Sequence, residues 1–235
     1  MADLMMAEWD VSSIELPARS LTSALLDGLR AEILCCRLKP GEKLIAGAIA
    51  HQHRVSLGVV REALSRLVAE GWVEAEDRRG FRVMPVSISE LRDINISRIE
   101  IERIALRQSI VLGGPEWEES IRRAYQELGG VPRSSPGDAG PQFIAWTGLH
   151  RKFHTALLAA CPAGWLLKFR EMLFQKCERY RFLSYSLASR DVEGEHRRIM
   201  EATLDRDVEA AMAALCDHYT TTAEIIIKGL SDAGP

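Results

Sequence analysis

Four histidines in the second half of this 235-residue chain are the side chains best suited to chemistry. His150 and His154 are four residues apart, so a helix would place both imidazoles on one face, within reach of a single ion. His196 and His218 follow on later predicted helices. Neutral imidazole is a frequent ligand of zinc, nickel and copper. The pattern alone leaves open both a shared metal site and a set of structural histidines.

A segment in the first half is suited to binding duplex DNA. Apolar residues recur at helical spacing over 60–68 and predict an amphipathic helix, with Ser56 as its N-cap and Gly71 at its end. Arg61 and Arg66 lie on the polar side of this helix. We expect both arginines and Ser56 to contact DNA.

A basic hairpin is predicted directly after this helix. Two short strands, 72–75 and 81–84, can pair around a turn that contains Arg78, Arg79 and Gly80. The two arginines are predicted to contact phosphate or the minor groove, and Gly80 to allow a close approach of the backbone. The alternative is an ordinary surface helix and hairpin.

The elements upstream complete a small domain. An amphipathic helix is predicted over 21–34 and a short helix over 45–51, with a Pro-Gly turn at 39–42 between them. This order of helices followed by a hairpin resembles the winged helix-turn-helix of the GntR family of bacterial transcription regulators. The matching residues are 38–44, Val55 and Ser56, 60–64, Leu67, Glu70 and Gly71, and Arg79 and Gly80.

One departure from that family lies at the start of the recognition helix. Members usually carry Arg-Thr-Pro where this chain has Leu57, Gly58 and Val59. An arginine that would contact a base or phosphate is therefore missing, so a standard operator sequence is not expected.

The chain beyond Pro85 is predicted to be an all-α helical bundle. Ser87 and Glu90 form a capping box at its start. The composition of 129–141 indicates a flexible connector. Helices are predicted over 88–112, 115–128, 140–161, 163–189, 191–204 and 207–229. The chain is thus expected to be mainly α, with a mobile tail at 1–18, a winged helix-turn-helix domain at 19–86, and an all-α effector- and metal-binding domain at 87–230.

The predicted bundle resembles the ligand-binding domain of the FadR branch of the GntR family. The residues that carry this resemblance are 98–102, Phe153 and His154, Glu195 and His196, and His218. The resemblance implies a metal site made of an aspartate and three histidines, onto which His154, His196 and His218 map. His150 falls at the position of the aspartate. A nitrogen ligand in place of a carboxylate favours zinc, nickel or copper over manganese, and zinc first.

The same resemblance implies a small organic acid as the signal. Arg98 matches the family arginine that faces the pocket and could bind a carboxylate with two hydrogen bonds. Arg181 is a further candidate, whereas Arg179 is expected to pair with a surface glutamate such as Glu178. The segments 148–154 and 178–181 also resemble the carbon-starvation-induced repressors that respond to glutarate-like C5 dicarboxylates.

Composition restricts the class of protein. The net charge is −3, but residues 19–84 carry 11 Lys and Arg against 8 Asp and Glu, a net of +3, which suits a specific DNA-binding domain. Five cysteines without metal-finger spacing suit a reducing cytoplasm. No apolar run is long enough to span a bilayer, and the acidic N-terminus does not look like a signal peptide.

Three classes of function follow. The leading one is a transcription regulator, a repressor if it follows the usual sign of the family, that binds an inverted-repeat operator as a homodimer and is controlled by a carboxylate bound beside a histidine-ligated metal. The second is a repressor for which the metal itself is the signal. The third is a metal-dependent hydrolase domain joined to a DNA reader. No general base is evident beside the histidines, so an enzyme is not expected.

Overall fold

The computed structural model describes residues 18–76, 80–132, 141–183 and 190–232, which divide into two compact units between Val86 and Ser87. In its described residues, the first unit contains three helices and three short strands. These are α1 (Ala18–Leu34), β1 (Lys43–Leu44), α2 (Ala46–Gln52), α3 (Leu57–Ala69), β2 (Val73–Glu76) and β3 (Gly80–Val83).

The amphipathic pattern of α3 places one side of the helix in the core of the first unit. Val60, Leu64 and Leu67 are fully buried, as predicted, whereas Val68 is half-buried. They pack with Leu25, Ile33 and Trp72, among other apolar residues. The Ser56 hydroxyl accepts a hydrogen bond from the Val59 amide, which confirms the predicted N-cap. The core thereby fixes which side of α3 faces solvent.

The wing is a three-stranded antiparallel sheet rather than the two-stranded hairpin expected from the sequence. The strand order is β1-β3-β2, with Lys43 opposite Arg82 and Val73 opposite Val83. β1 has only two residues, too few to show an alternating pattern, so no local signal marks it as a strand. Gly80 has a φ of +96°, which favours glycine there. Arg78 and Arg79 lie outside the described residues.

The second unit is helical throughout its described residues. Its helices are α4 (Ile88–Leu112), α5 (Pro115–Gly129), α6 (Pro141–Leu157), α7 (Gly164–Leu183), α8 (Val192–Leu204) and α9 (Val208–Asp232). The all-α bundle expected from the periodicity is confirmed. α6 ends at Leu157, four residues earlier than predicted. The predicted end of α7 and most of the predicted connector at 129–141 lie outside the described residues.

The core of the second unit is built from α4, α5, α6, α8 and α9, with α7 packed against α4 and α9. Leu106, Phe153 and Ile199 are fully buried within it. The Ser87 hydroxyl caps α4 by accepting from the Glu90 amide. None of the described helices is both long and apolar enough to cross a membrane. This packing brings the inner faces of α6, α8 and α9 together.

Candidate metal centre and DNA-binding face

The four histidines named from the sequence lie together in the second unit. His150 and His154 come from α6, His196 from α8 and His218 from α9. One nitrogen of each lies within 4.8 Å of a nitrogen of every other, and all four side chains are buried. This is a donor set suited to a borderline metal ion. The proximity of His150 and His154 follows from their spacing on α6. The packing of α8 and α9 against α6 then brings the other two histidines close to them.

The outer nitrogen of His154 is part of a directed hydrogen-bond chain. The Tyr219 hydroxyl donates to Glu102 Oε2 at 2.6 Å, so its oxygen is left to accept. His154 Nδ1 lies 3.0 Å from that oxygen and must be the donor. With its proton on Nδ1, His154 has a free electron pair on Nε2, which faces the other histidines. Its tautomer is therefore the one that can bind a metal through Nε2.

His218 is oriented in a similar way by a carboxylate. Its Nδ1 lies 2.7 Å from Glu195 Oε2 and donates to it. Arg190 also contacts Glu195, with 2.6 Å between Arg190 Nε and Glu195 Oε1. Arg190 Nη2 lies 3.4 Å from His218 Nδ1, farther than the carboxylate oxygen. A carboxylate on the outer nitrogen leaves Nε2 of His218 available as a ligand.

The surroundings keep His150, His154 and His218 neutral, which metal binding requires. Burial, followed by the nearby Arg181, holds the pKa of His150 well below its usual range. Burial and the neighbouring imidazoles do the same for the pKa of His154. Burial also lowers the pKa of His218 to about 4, although Glu195 opposes that shift. The donors, their burial and the orientation of two of them all fit a bound transition metal.

These shifts predict a pH dependence of stability for the metal-free protein. In the unfolded chain these histidines bind protons near pH 6.5, whereas in the folded protein the pKa of His218 is about 4. The unfolded state therefore binds more protons between these values. We expect the free energy of unfolding, measured by denaturant titration with a chelator present, to fall as the pH is lowered from 6.5 towards 4.

His218→Gln is the matched variant for this measurement, because it removes one of the shifted groups. We expect the variant to lose part of the dependence on pH. A parent protein that is equally stable at about pH 7 and about pH 5 without metal would contradict the assignment of these histidines as buried and neutral.

A charged cluster on α4 and α7 adjoins the neutral histidines. Arg98 Nε donates to Glu102 Oε1 at 2.7 Å, and Arg170 Nε lies 3.3 Å from the same oxygen. All three side chains are buried. Burial alone would raise the pKa of Glu102, but the two guanidinium groups outweigh it and lower that pKa. The cluster therefore carries two positive charges and one negative charge.

Each arginine of this cluster has a buried nitrogen that no described residue satisfies. These atoms are Arg98 Nη2 and Arg170 Nη2. A buried donor without a partner is costly, so such atoms often mark a place where a ligand binds. Arg98 was predicted to bind a carboxylate. Arg170 was missed, because nothing in its local spacing distinguishes it from a surface arginine.

The structure corrects the interpretation of Arg179. That side chain is 3% exposed, so it does not lie at the surface beside a glutamate. Glu178 is also buried, and it pairs instead with Arg181, whose Nη1 lies 2.6 Å from Glu178 Oε1. Helical spacing explains the difference, since residues three apart share a face and adjacent residues do not.

Two carboxylates accompany the histidines, although no general base was evident from the sequence. Glu195 and, through Tyr219, Glu102 both contact the cluster. Both act on the outer nitrogens, and both are held by arginines. This position suits a group that orients an imidazole better than one that activates water beside the metal.

A cavity of about 310 Å³ lies beside the histidine cluster, with His196 in its wall. His196, Trp146 and Arg190 contribute to its wall, together with residues of α5 and the start of α8. This volume lies within the range of small-molecule sites. A small anion in this cavity would lie next to His196.

Two of the DNA-binding candidates of the first unit, Arg61 and Arg66, lie on the outer side of α3. Arg61 is exposed. Arg66 is also exposed, but its Nη2 lies 2.7 Å from Glu62 Oε1. The first turn, where family members carry Arg-Thr-Pro, presents Leu57 and Gly58. Among the described residues of α3, Arg61 is thus the arginine without an ion pair that faces solvent.

Comparison with known proteins agrees with both units. Residues 21–83 match the family described as bacterial regulatory proteins, gntR family, and residues 93–221 match the FCD domain. The chain is 36% identical to BphR, an uncharacterized HTH-type transcriptional regulator of Paraburkholderia xenovorans, over 88% of this chain and 86% of the relative. It is 32% identical to the HTH-type transcriptional repressor GlaR of Escherichia coli, over 90% and 99%. The solved structure of E. coli McbR/YncC has the same fold, with a TM-score of 0.72, 23% identity, and coverage of 88% of this chain and 97% of that one.

Proposed function

The chain belongs to the GntR family of bacterial transcription regulators and carries an FCD domain, and from this premise we propose that it is a metal-dependent repressor released by a small organic acid. Like these relatives, it is a transcription regulator and not an enzyme. We further propose that it acts in the cytoplasm as a homodimer on an inverted-repeat operator, since two-fold proteins match two-fold sites.

The buried histidine cluster is the observation that carries the metal part of this proposal. Buried imidazoles from three helices, two of them oriented by outer hydrogen bonds, would form a site that zinc fits, with nickel or copper as alternatives. When bound, the ion would supply positive charge and open positions to an anion. His154 and His218 already have acceptors on their outer nitrogens, which favours ligation through Nε2.

The neighbouring arginine cluster supports an acidic effector. Arg98 Nη2 is buried and has no hydrogen-bond partner among the described residues. The guanidinium lies 3.7 Å from the centre of the Tyr219 ring, and Tyr219 contacts His154. An anion with one carboxylate at the metal and a second at Arg98 would satisfy both groups. A C5 dicarboxylate is our first choice, on the narrower resemblance of segments 148–154 and 178–181.

Calorimetry on the zinc-loaded protein with C4 to C6 dicarboxylates and hydroxy acids tests this assignment. Arg98→Lys keeps the buried charge opposite Glu102 but cannot form two parallel hydrogen bonds with a carboxylate. We expect this variant to bind the preferred acid about tenfold more weakly or worse, because it cannot make the charge-assisted bidentate pair.

Arg103→Lys is the matched control on the same helix, because Arg103 is only partly buried and its contact with Glu100 is 3.5 Å long. If no acid of the panel binds, or if Arg98→Lys binds as well as the parent, the carboxylate site is wrong. If zinc changes the affinity for DNA and no acid of the panel changes it further, the metal itself is the signal.

A further inference from the structure

His150 differs from the other histidines in what its outer nitrogen contacts. Arg181 Nη1 lies 3.0 Å from His150 Nδ1. A guanidinium has only donors, so Nδ1 must be the acceptor in this contact. A neutral imidazole with its electron pair on Nδ1 carries its proton on Nε2. This is the reverse of His154 and His218, whose outer nitrogens donate to Tyr219 and Glu195.

The inner contact of His150 agrees with that tautomer. Its Nε2 lies 3.1 Å from Nε2 of His154, which has a free electron pair. The proton on His150 Nε2 can therefore be donated to His154. The chain of donors runs in one direction from Arg181 through His150, His154 and Tyr219 to Glu102, and each atom has a consistent role.

Arg181 is held in the place from which it contacts His150. Its Nη1 also donates to Glu178 at 2.6 Å, and its guanidinium lies 5.2 Å from the centre of the Trp146 ring. Trp146 in turn stacks on His150, with ring centres 4.8 Å apart. The arginine side chain is 11% exposed, so water competes little for it. Glu178 and Trp146 therefore hold Arg181 in contact with His150.

We propose that Arg181 keeps His150 out of the metal's ligand set, so that the resting centre uses three histidines, His154, His196 and His218. His150 Nε2 can bind a metal only after its proton moves to Nδ1, and Nδ1 can accept a proton only after Arg181 withdraws. Arg181 thus determines whether the centre has three or four imidazoles. This inference rests on the proposed function, because it assumes that the cluster binds a metal.

Zinc affinity measured by competition with a chromophoric chelator tests the inference in four proteins. Arg181→Met removes the donor at similar length, and we expect zinc affinity to rise about tenfold because His150 becomes a fourth ligand. Arg181→Lys retains a pure donor and should leave the affinity close to that of the parent. We expect the rise to disappear when His150→Ala is added to Arg181→Met.

The double variant separates this mechanism from a simple charge effect. Removing a cation beside a metal would also raise the affinity for zinc, but that gain does not need His150. A rise that persists in Arg181→Met with His150→Ala would therefore overturn the inference.

Copper-loaded protein gives an independent readout, since pulsed EPR counts coordinated imidazoles. We expect three in the parent and four in Arg181→Met. Four imidazoles in the parent, with stoichiometric metal, would overturn the inference and leave the proposed function intact. A parent that binds neither zinc nor copper tightly would overturn both.

Discussion

Replacing His154 with alanine is expected to reduce zinc affinity at least about a hundredfold, because changing only the partner behind a ligand already costs about 10- to 100-fold. His154 is fully buried and lies between Tyr219 and His150. Its removal takes away a ligand and breaks the hydrogen-bond chain to Glu102. We expect His196→Ala to have a similar effect, because it removes the ligand that α8 supplies.

Elemental analysis of purified protein, followed by chelator competition, measures this effect. His51→Ala is the matched control, since His51 is exposed on α2 and belongs to the other unit. Circular dichroism with a chelator present shows whether each variant is folded before metal is added. If folded His154→Ala and His196→Ala retain as much metal as the parent, the site lies elsewhere.

The helices could be predicted because their signals are local. The buried side of α3 has apolar residues at helical spacing, and Ser56 and Ser87 have the side chains that cap helices. The spacing of His150 and His154 likewise follows from the period of α6. β1 could not be predicted, because its two residues become a strand only by pairing with β3.

The partners of the histidines could not be predicted for the same reason. Tyr219 forms a hydrogen bond with Glu102, which is 117 positions away in the sequence. Arg190 forms one with the backbone of His218, which is 28 positions away. No spacing within one helix encodes such contacts. The direction of the hydrogen bond to His150 depends on Arg181, from another helix. The sequence thus indicated which residues could bind a metal, and the packing indicates which are oriented to do so.

Replacing Arg61 with alanine is expected to reduce operator affinity at least about a hundredfold. A good bidentate contact between arginine and guanine is worth about 1–3 kcal/mol. The substitution would remove this arginine from both half-sites of a homodimer. Each loss of about 1.4 kcal/mol lowers the affinity about tenfold, so two losses together lower it about a hundredfold. With Leu57 and Gly58 at the start of α3, few other side chains there could compensate.

Fluorescence anisotropy with a duplex selected by the parent protein from randomised DNA measures this reduction. Arg92→Ala is a control in the other unit, since Arg92 is exposed on α4. Arg66→Ala is a comparison on α3 itself. We expect Arg66→Ala to have the smaller effect, less than about tenfold, because the guanidinium of Arg66 must first give up its contact with Glu62 before it can bind DNA.

A scrambled duplex and a salt titration then show whether Arg61 binds a base or a phosphate. If Arg61 reads a base, the variant should bind the selected duplex more weakly but keep its affinity for the scrambled one. If Arg61 binds phosphate, both affinities should fall together, and the slope against log salt should become shallower by about one for each phosphate that is no longer neutralised. Because Arg61 is exposed on the helix that we expect to enter the major groove, and has no ion pair among the described residues, we expect the first result. Unchanged binding to both duplexes would remove Arg61 from the DNA-binding face.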